Sequence, residues 1–413
     1  MVNELKIVGK SINKIDAKDK VDGSAIYPQD IYLENMAFGV TIRSTRPHAF
    51  IKVDTKEAGK IDGVLKVFTY KDVPGKNHHG VVLKDHEVFA SKKVRRIGDP
   101  IAFIVAETKE IAEYAKNFIK VEYEDIPAVF DPEEAMKEDS PKVHDRDNVF
   151  YHFKIRRGDV EKAFKECHVI VENVYKVPMV DHAFLQPEAG VAFLDEDGRV
   201  VVIASTQYPH FDQEEIAESL GVNKEMVRVL TPAVGGAFGG REDITVQIHL
   251  AIAALTLKRP VKTVYSREES FLAHSKRHAM KMYYKTGALK DGTLLALEAK
   301  IIGDSGAYAS WAMNVLRKSA VHATGPYYIP NVKVDSFAVY TNNPFTGAMR
   351  GFGATQVPIA YEQQMDILAE KLGLTPIEIR LKNCFREGSE TATGQVLEGF
   401  VPLERCIEEL KSF

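Results

Sequence analysis

Cysteine, tryptophan and long apolar runs are scarce in this chain of 413 residues, and each scarcity excludes a class of protein. The three cysteines, Cys167, Cys384 and Cys406, lie far apart and form no CxxC pair. This excludes a disulfide scaffold, a cysteine-rich zinc module and an iron–sulfur cluster held by the chain itself. The longest apolar run, Ile244–Leu257, is interrupted by Gln247 and His249 and is too short to cross a bilayer.

An excess of charge of either sign is also missing. The chain has 54 Lys and Arg against 58 Asp and Glu, a formal net charge of −4. This gives no electrostatic reason to expect a nucleic acid or an anionic membrane as a partner. Residues 1–14 carry charges throughout and lack the apolar stretch of a signal peptide, so we expect a cytoplasmic protein. The 13 histidines show no HxH or HExxH spacing and predict no histidine metal site.

The hydrophobic fraction of 45% is large enough for a sizeable core, and the length fits two or three domains. The first third predicts an α/β unit, with one helix at Lys109–Asn117 among strand-like runs rich in Val, Ile and Phe. The predicted strands are Ala37–Arg43, Gly63–Thr69, Pro100–Ala106 and Phe118–Tyr123. The charged, proline-containing stretch Glu133–Asp147 indicates a linker. We predict a boundary near residue 145, with domains at 1–145 and 146–413.

The second unit is also predicted to be α/β. Its expected helices are Asp212–Leu220, Asp243–Leu257 and Pro358–Leu372, and the last ends at Gly373, a residue that favours helix termination. Another helix is predicted directly afterwards, because a capping box with a proline at the first helical position occurs at Thr375–Glu378. The expected strands are Val169–Val177, Gly190–Leu194, Val200–Ser205, Val227–Leu230, Val261–Tyr265, Leu294–Asp304 and Val332–Tyr340.

The first chemically informative segment is Val234–Asp243, VGGAFGGRED, with four glycines around Phe238 between a predicted strand and a predicted helix. Glycines let a backbone approach a ligand closely, and a helix N-terminus offers free N–H groups to an anion. One such loop could equally be a tight connection without a ligand. Glu242 falls in the expected first helical turn, where the helix dipole favours its ionised form. Arg241 could pair with Glu242 or with a ligand phosphate.

The second segment is Thr341–Gln356, TNNPFTGAMRGFGATQ, which also precedes a predicted helix. Arg350 inside this loop can make a planar, bidentate contact with phosphate or carboxylate. Alternatively, Arg350 is a surface residue and Phe352 belongs to the core. Two loops of the same composition, each with a central phenylalanine, predict a large, flat, anionic cofactor held mostly by backbone amides.

These loops resemble those of a known family. GGAFGGRE resembles the GGGFGGKE loop, and AMRGFGATQ the FRGFG-x-PQ loop, of the xanthine dehydrogenase and aldehyde oxidase family of molybdenum hydroxylases. Shorter matches are KVDGSAIYPQD at 20–30, RSTRPH at 43–48, STQ at 205–207, SREE at 266–269 and GDSGAYA at 303–309. Two long motifs in the family's order, with these around them, make the resemblance specific.

The resemblance implies a fold, a cofactor and partners. The fold class is α/β (α+β), with an N-terminal α/β-hammerhead domain followed by the first half of a molybdopterin-binding domain. Since the family's molybdenum-binding region is nearly twice as long as this chain, it implies a split large subunit, as in bacterial nicotinate dehydrogenase and purine hydroxylases. A second molybdopterin-binding subunit would carry the other half. The implied cofactor is molybdenum–molybdopterin, expected in the cytosine dinucleotide form, with iron–sulfur clusters and FAD in further partner subunits.

The resemblance also implies roles for individual residues. Gln207, 31 residues before Phe238, corresponds to the glutamine that hydrogen-bonds the apical oxo group of molybdenum. Phe238 and Gly239 correspond to the loop whose amides contact the pterin, and Arg350 to the arginine whose backbone approaches the same site. Glu242 corresponds to the acidic residue that orients purines. Phe352 corresponds to the aromatic residue that meets the substrate ring edge-on, and no direct protein ligand to the metal is implied.

One family position departs from the pattern, and another has no counterpart. Purine-oxidising members carry an arginine four residues before a histidine. Counting back from His322 gives Lys318, with Arg317 beside it, so either residue could take that role. Lysine would meet developing oxygen charge as a point donor rather than a planar fork. The family's catalytic base, a glutamate near the far end of the molybdenum region, is not matched, so we expect no catalytic residue and no activity in this chain alone.

The predicted function is a molybdopterin-binding subunit of a multi-subunit enzyme. It would hydroxylate a purine or xanthine-like N-heterocycle with oxygen from water and pass electrons to iron–sulfur and flavin subunits. Nicotinate-type heterocycles are the next alternative, and aldehydes, which do not need Glu242, the third. A non-catalytic subunit that only holds cofactor is a different class of answer, but it would need none of Gln207, Phe238, Glu242 and Phe352.

Overall fold

Alternating apolar residues form 17 strands in the computed structural model, which describes residues 5–410. Many alternate between buried and exposed side chains, as expected where one face of a sheet packs on a core. In chain order they are β1 (Ala37–Arg43), β2 (Ala49–Asp54), β3 (Val64–Phe68), β4 (His78–His79), β5 (His86–Glu87), β6 (Lys93–Val94), β7 (Pro100–Ala106), β8 (Lys120–Asp125), β9 (Val149–Arg157), β10 (Val169–Val177), β11 (Ala189–Leu194), β12 (Val200–Ala204), β13 (Val227–Leu230), β14 (Val261–Val264), β15 (Met280–Ala288), β16 (Leu294–Gly306) and β17 (Asn331–Tyr340).

The helices are short and connect or cover these strands. Between residues 5 and 410, none is both long and apolar enough to cross a membrane. They are α1 (Ala17–Asp22), α2 (Lys109–Ala115), α3 (Pro132–Ala135), α4 (Val160–Glu166), α5 (Pro209–Leu220), α6 (Gln247–Leu257), α7 (Arg267–Ala273), α8 (Ala312–Val321), α9 (Pro358–Leu372), α10 (Pro376–Asn383) and α11 (Leu403–Leu410).

A seven-stranded sheet joins the first and second parts of the chain. Its order is β13-β12-β11-β14-β1-β7-β3, and β1 pairs with β14 in parallel through Ala37↔Val261 and Phe38↔Lys262. The helices α5 and α6 contribute buried side chains to the core on this sheet. The boundary near residue 145 therefore stays a prediction, and strands from both sides of it share one sheet.

A five-stranded sheet, ordered β10-β15-β16-β17-β9, forms the second layer. Its strands are antiparallel except for β16 and β17, which run in parallel. Helices α8 and α9 pack on it and enclose the largest cluster of buried side chains. Two smaller sheets, β6-β2-β8 and β4-β5, complete the first third.

The segment predicted as a linker is packed against the second part of the chain. Val143 is fully buried, and His144 Nε2 lies 2.7 Å from the carbonyl oxygen of Ala307. Glu133 pairs with Lys281 and accepts a hydrogen bond from Tyr283. Glu133 therefore has its partners on β15, which sequence composition cannot show.

Local signals located some elements well and others poorly. The helix at Pro358–Leu372 is confirmed as α9, and the capping box is present between Thr375 and Glu378. The helix expected from Asp243 begins only at Gln247, because residues 240–246 form turns instead. β9 and β15 were not predicted, since their apolar residues alternate with Lys, His and Arg, and β15 is stabilised by strands on both sides.

Candidate active site

The two glycine loops meet and form the floor of a cleft. The Arg350 N–H donates a hydrogen bond to the carbonyl oxygen of Phe238 over 2.8 Å. At Gly239, where φ is +105°, a Cβ atom would lie 2.5 Å from the carbonyl oxygen of Ala348. Only glycine therefore allows the two backbones to approach this closely.

Both phenylalanines occupy a backbone conformation that is unusual for their residue type. Phe238 and Phe352 each have a φ of +53°, in the left-handed region, which costs on the order of 1–3 kcal/mol for a residue with a side chain. In the second loop, Phe352 N–H donates to Met349 O over 2.8 Å, and Ser319 Oγ donates to Gly353 O over 3.2 Å. These bonds hold the turn, and the Phe238 side chain remains 49% exposed.

Gln207 follows β12 and supports the first loop with one end of its side chain. Its Oε1 accepts hydrogen bonds from the N–H groups of Gly239, at 2.9 Å, and Arg241, at 3.4 Å. Within the described residues its Nε2 has no hydrogen-bond partner, and the side chain is exposed. Gln207 thus presents a free donor at the loop.

A cavity of about 330 Å³ lies where these elements meet. It contains six of the eight residues that sequence analysis selected for the site. The lining residues are Gln207, Phe238, Gly239, Glu242, Ala348, Met349, Arg350, Gly351 and Phe352.

Lys318 and Arg317 do not line this cavity; both are exposed on α8. The side of α8 that meets the second loop is marked by Val315, whose carbonyl oxygen a Cβ at Gly353 would approach to 2.3 Å. With 3.6 residues per turn, Lys318 is rotated about 60° from Val315 around the helix axis and Arg317 about 160°. Lys318 therefore lies on the flank nearer the loop, and Arg317 lies on the opposite side of the helix.

Arg241 donates to backbone carbonyl groups rather than to Glu242. It is 3% exposed, and it donates to Gly236 O over 2.9 Å and to Gln186 O over 2.5 Å. Its guanidinium lies 4.4 Å from the centre of the Phe184 ring. Arg241 therefore braces the first loop and does not pair with Glu242, while a contact with a ligand phosphate stays a prediction.

Glu242 differs from its sequence-based description. Since α6 begins at Gln247, Glu242 is not in a first helical turn, and the helix dipole does not favour its ionised form. Burial raises the pKa of Glu242 to about 7, and the neighbouring Asp243 charge contributes to the same rise. The expectation of a firmly ionised carboxylate is thus corrected, because desolvation acts on it without a compensating donor.

Several residues that complete the site were not found from the sequence. Arg277 donates hydrogen bonds to Arg350 O and to Thr355 Oγ1, each over 2.9 Å, and so holds the second loop in place. Trp311 packs edge-on against Phe352 at 5.7 Å between ring centres, and Tyr208 lies 5.8 Å from Trp311. These residues come from separate segments, and the only signal available was that Trp311 is the single tryptophan of the chain.

The residues present fit a cofactor held by amides. Over residues 5–410, the backbone N–H groups of Phe238, Met349 and Gly351 have no hydrogen-bond partner in the protein, and Gln207 Nε2 is a fourth free donor. The same part of the chain contains no group of three or more His, Cys, Asp or Glu residues placed to hold a metal ion. Such a site suits an anionic group that brings its own metal ligands.

Comparisons with known proteins agree with this site. A family model described as the molybdopterin cofactor-binding domain matches residues 143–384, and one described as the aldehyde oxidase and xanthine dehydrogenase a/b hammerhead domain matches residues 22–127. The chain is 42% identical over 412 residues to the nicotinate dehydrogenase large molybdopterin subunit of Eubacterium barkeri, covering 100% of this chain and 97% of the relative.

Two further relatives are longer than this chain. It is 39% identical over 369 residues to a probable xanthine dehydrogenase subunit of Bacillus subtilis, covering 89% of this chain and 50% of the relative. The aldehyde oxidoreductase structure from Desulfovibrio gigas superposes with a TM-score of 0.93 at 31% identity, covering 96% of this chain and 45% of that one. The chain spans about half the length of these two relatives.

These matches confirm the resemblance of the glycine loops and the fold that it implied. A hammerhead domain is followed by a molybdopterin-binding domain in a mixed α/β chain. The chain belongs to the xanthine dehydrogenase and aldehyde oxidase family of molybdenum hydroxylases, oxidoreductases in which it is a molybdopterin-binding subunit.

Proposed function

We propose that this chain forms one half of the active site of an enzyme that hydroxylates an N-heterocycle with oxygen from water. The observation that carries the proposal is the single cleft in which Gln207, Phe238, Glu242, Arg350 and Phe352 converge. A subunit that only held a cofactor would need the loop amides but not the two aromatic rings or the half-buried carboxyl group of Glu242.

Each side chain of the cleft has a role in this proposal. When bound, the molybdenum–molybdopterin cofactor supplies the centre that accepts the electrons of the oxidation. Gln207 Nε2 donates a hydrogen bond to an acceptor on that cofactor, and the amides of Phe238, Met349 and Gly351 bind it further. Phe238 and Phe352 hold a flat substrate ring, and Glu242 binds its polar edge.

The proposed substrate is a purine or xanthine-like heterocycle, with nicotinate-type heterocycles as the second candidate. Lys318, on the loop-facing flank of α8, is the residue we assign to the family's arginine position rather than Arg317. A lysine meets a carboxylate or a carbonyl oxygen as a point charge, without the planar fork of an arginine. The 42% identity and near-complete coverage of a nicotinate dehydrogenase subunit favour the second candidate.

The proposal includes partners. A second molybdopterin-binding subunit would supply the other half of the cleft and the catalytic glutamate, and FAD and iron–sulfur subunits would carry the electrons away. The half-length match to two relatives supports a divided region. The cofactor is proposed to be the cytosine dinucleotide form, and this chain alone is proposed to be inactive.

The test is made on the complex purified from its native host. Its molybdenum and pterin contents are measured, the nucleotide is released by hydrolysis and identified, and turnover of hypoxanthine, xanthine, nicotinate and an aldehyde is followed with an artificial electron acceptor. We expect stoichiometric cofactor and preferential oxidation of a heterocycle. A complex without molybdenum, or one that oxidises only the aldehyde, would overturn the proposal.

Glu242→Ala tests the proposed substrate contact. We expect kcat/KM for the heterocycle to fall about 100-fold, because a hydrogen-bonding partner of the substrate is lost inside a closed site. Aldehyde turnover should fall much less, and molybdenum content should stay at the wild-type level. Loss of molybdenum from this variant would instead indicate that Glu242 supports the cofactor loop.

A further inference from the structure

A buried carboxyl group lies next to Glu242 and joins four segments of the chain. Asp243 is 8% exposed, and its two oxygens accept hydrogen bonds from Ser310 Oγ over 2.7 and 2.9 Å. The Ser275 hydroxyl lies beside the same carboxyl group. At Gly347 a Cβ atom would lie 2.6 Å from Asp243 Oδ2 and 2.7 Å from each serine hydroxyl, so the second loop closes directly over this cluster.

Each of these segments carries part of the cleft. Asp243 directly follows Glu242, and Gly347 directly precedes Ala348 in the cavity wall. Ser310 has a φ of +39°, in the left-handed region, and is followed by Trp311, whose ring packs against Phe352. The hydrogen bonds of Asp243 therefore fix Ser310 in a conformation that it would otherwise disfavour, and with it the direction of the tryptophan.

The groups around Glu242 and Asp243 determine which of the two carboxyl groups ionises more easily. Burial raises the pKa of Asp243 to about 6 against the effect of the Ser310 donor; the charge of Asp85 raises this pKa and that of His274 lowers it. Glu242 faces Asp243 and Tyr208, and its pKa is about 7. Asp243 accepts hydrogen bonds from Ser310 that stabilise its carboxylate, whereas the Glu242 carboxyl group accepts none among the described residues. The negative charge is therefore favoured on Asp243, and it disfavours a second charge beside it.

We propose that Asp243 is a positioning residue, which ties the turn of Glu242 to Ser310 and Trp311 and places its negative charge beside the Glu242 carboxyl group. A neutral Glu242 can donate a hydrogen bond. The cleft then selects a heterocycle with an acceptor at that edge, such as an unprotonated ring nitrogen or a carbonyl oxygen. This inference rests on the proposed function and narrows its substrate class.

Asp243→Asn separates the charge from the hydrogen bonds, because an asparagine amide can still pair with Ser310. Without the adjacent negative charge Glu242 ionises more easily, so its pKa falls. In the wild type, oxidation and binding of the heterocycle should weaken above a certain pH. In the variant this pH should be about one unit lower. At pH 7.5, kcat/KM for the heterocycle should fall about 10-fold.

The measurements are kcat/KM of the purified complex and the Kd of a heterocyclic competitor that is not oxidised, both as a function of pH. Asp304→Asn is the matched control, since Asp304 is similarly buried and is hydrogen-bonded to Thr341 and Gly306 instead. It should keep the wild-type pH midpoint. Glu242→Gln should remove the alkaline decline altogether.

An unshifted midpoint in Asp243→Asn, at wild-type molybdenum and pterin content, would overturn the inference. Should that variant lose its cofactor, Ser310→Ala decides, since it removes the tie between Asp243 and the segment of Trp311. We then expect a several-fold higher KM for the heterocycle, and an unchanged KM would refute the positioning role. A wild-type complex that oxidises no substrate removes the proposed function as well, whereas an active wild type confines the failure to Asp243.

Discussion

Single residues in the two glycine loops hold backbone conformations that most side chains forbid. Gly239 has a φ of +105° and touches the backbone of the second loop, while its neighbour Phe238 has a φ of +53°. The second loop repeats the arrangement at Phe352, between Gly351 and Gly353. The glycines allow the close approach, and the phenylalanines remain available to a ligand because the left-handed turn keeps Phe238 partly out of the core.

Gly239→Ala tests this contact. The new Cβ would lie 2.5 Å from Ala348 O, so the loops must separate. We expect the free energy of unfolding to fall by about 3 kcal/mol or more and the molybdenum content to drop sharply. Both are measured, by urea unfolding and by elemental analysis of the complex.

Gly198→Ala is the matched control for that variant. Gly198 also has a positive φ, of +76°, in the turn between β11 and β12, but nothing lies within 4 Å of its Cβ position. The free energy of unfolding of Gly198→Ala should fall by only about 1 kcal/mol, from backbone strain, and the variant should keep its molybdenum. Equal effects at both positions would show that strain, rather than contact between the loops, limits the site.

At the scale of elements, the conformation of the second glycine loop depends on the segment that follows α7, which is far from it in sequence. Lys276 N–H donates to Phe345 O, and Gly347 N–H donates to Lys276 O over 2.9 Å. Arg277 then donates to Arg350 O and Thr355 Oγ1. The residues after α7 therefore support the second loop through backbone and side-chain hydrogen bonds.

Arg277→Met removes the side-chain hydrogen bonds of this support and leaves its backbone hydrogen bonds in place. Three acceptors in the loop lose a charged donor, those of Arg350, Thr355 and Gln356. We expect a loss of about 2–3 kcal/mol of stability and faster amide hydrogen exchange over residues 349–356. Arg199→Met, which breaks only surface pairs with Asp195 and Asp197, should cost less than about 1 kcal/mol. Unchanged exchange in Arg277→Met would contradict the support.

Elements with strong local signals were predictable, and those stabilised by neighbours were not. The capping box at Thr375 and the glycine after Leu372 located α9 and α10, because caps act within one turn. The start of α6 was misplaced by four residues, since the glycine loop continues as turns stabilised by Gln207 and Gln247 side chains. Whether a carboxylate next to a glycine loop is inside a helix depends on these distant partners.

At the scale of the whole molecule, the seven-stranded sheet contains strands from both predicted domains. The pairing of β1 with β14 places strands from before and after residue 145 side by side. Phe103 of β7 and Val261 of β14 belong to the same buried cluster. We expect a single transition in differential scanning calorimetry of the purified chain. Two separated transitions would show that the shared sheet does not couple the halves.

Buried histidines give the molecule a sensitivity to acid. Burial lowers the pKa of His144 to about 3 and that of His182 and His249 to about 4. The unfolded chain binds protons near the ordinary pKa of about 6.5, whereas the folded chain does not. Their contribution to stability is thus complete above about pH 6.5 and is lost as the pH falls towards 4.

His144→Gln should reduce that loss. A glutamine can still hydrogen-bond Ala307 O but binds no proton in either state. Between pH 7.5 and pH 5 we expect the variant to lose about 2 kcal/mol less of its free energy of unfolding than the wild type. Urea unfolding at the two pH values measures this difference, and equal losses would contradict the assignment.

The sequence by itself determined the family, the order of its domains and six of the residues around the cleft. Glycine spacing and helix caps are local signals that a sequence shows directly, and such signals locate the two glycine loops of the cleft. The tertiary structure decided that Arg241 braces a loop and that Asp243 lies buried beside Glu242. These properties follow from burial and neighbouring charge, which arise only when segments distant in sequence come together.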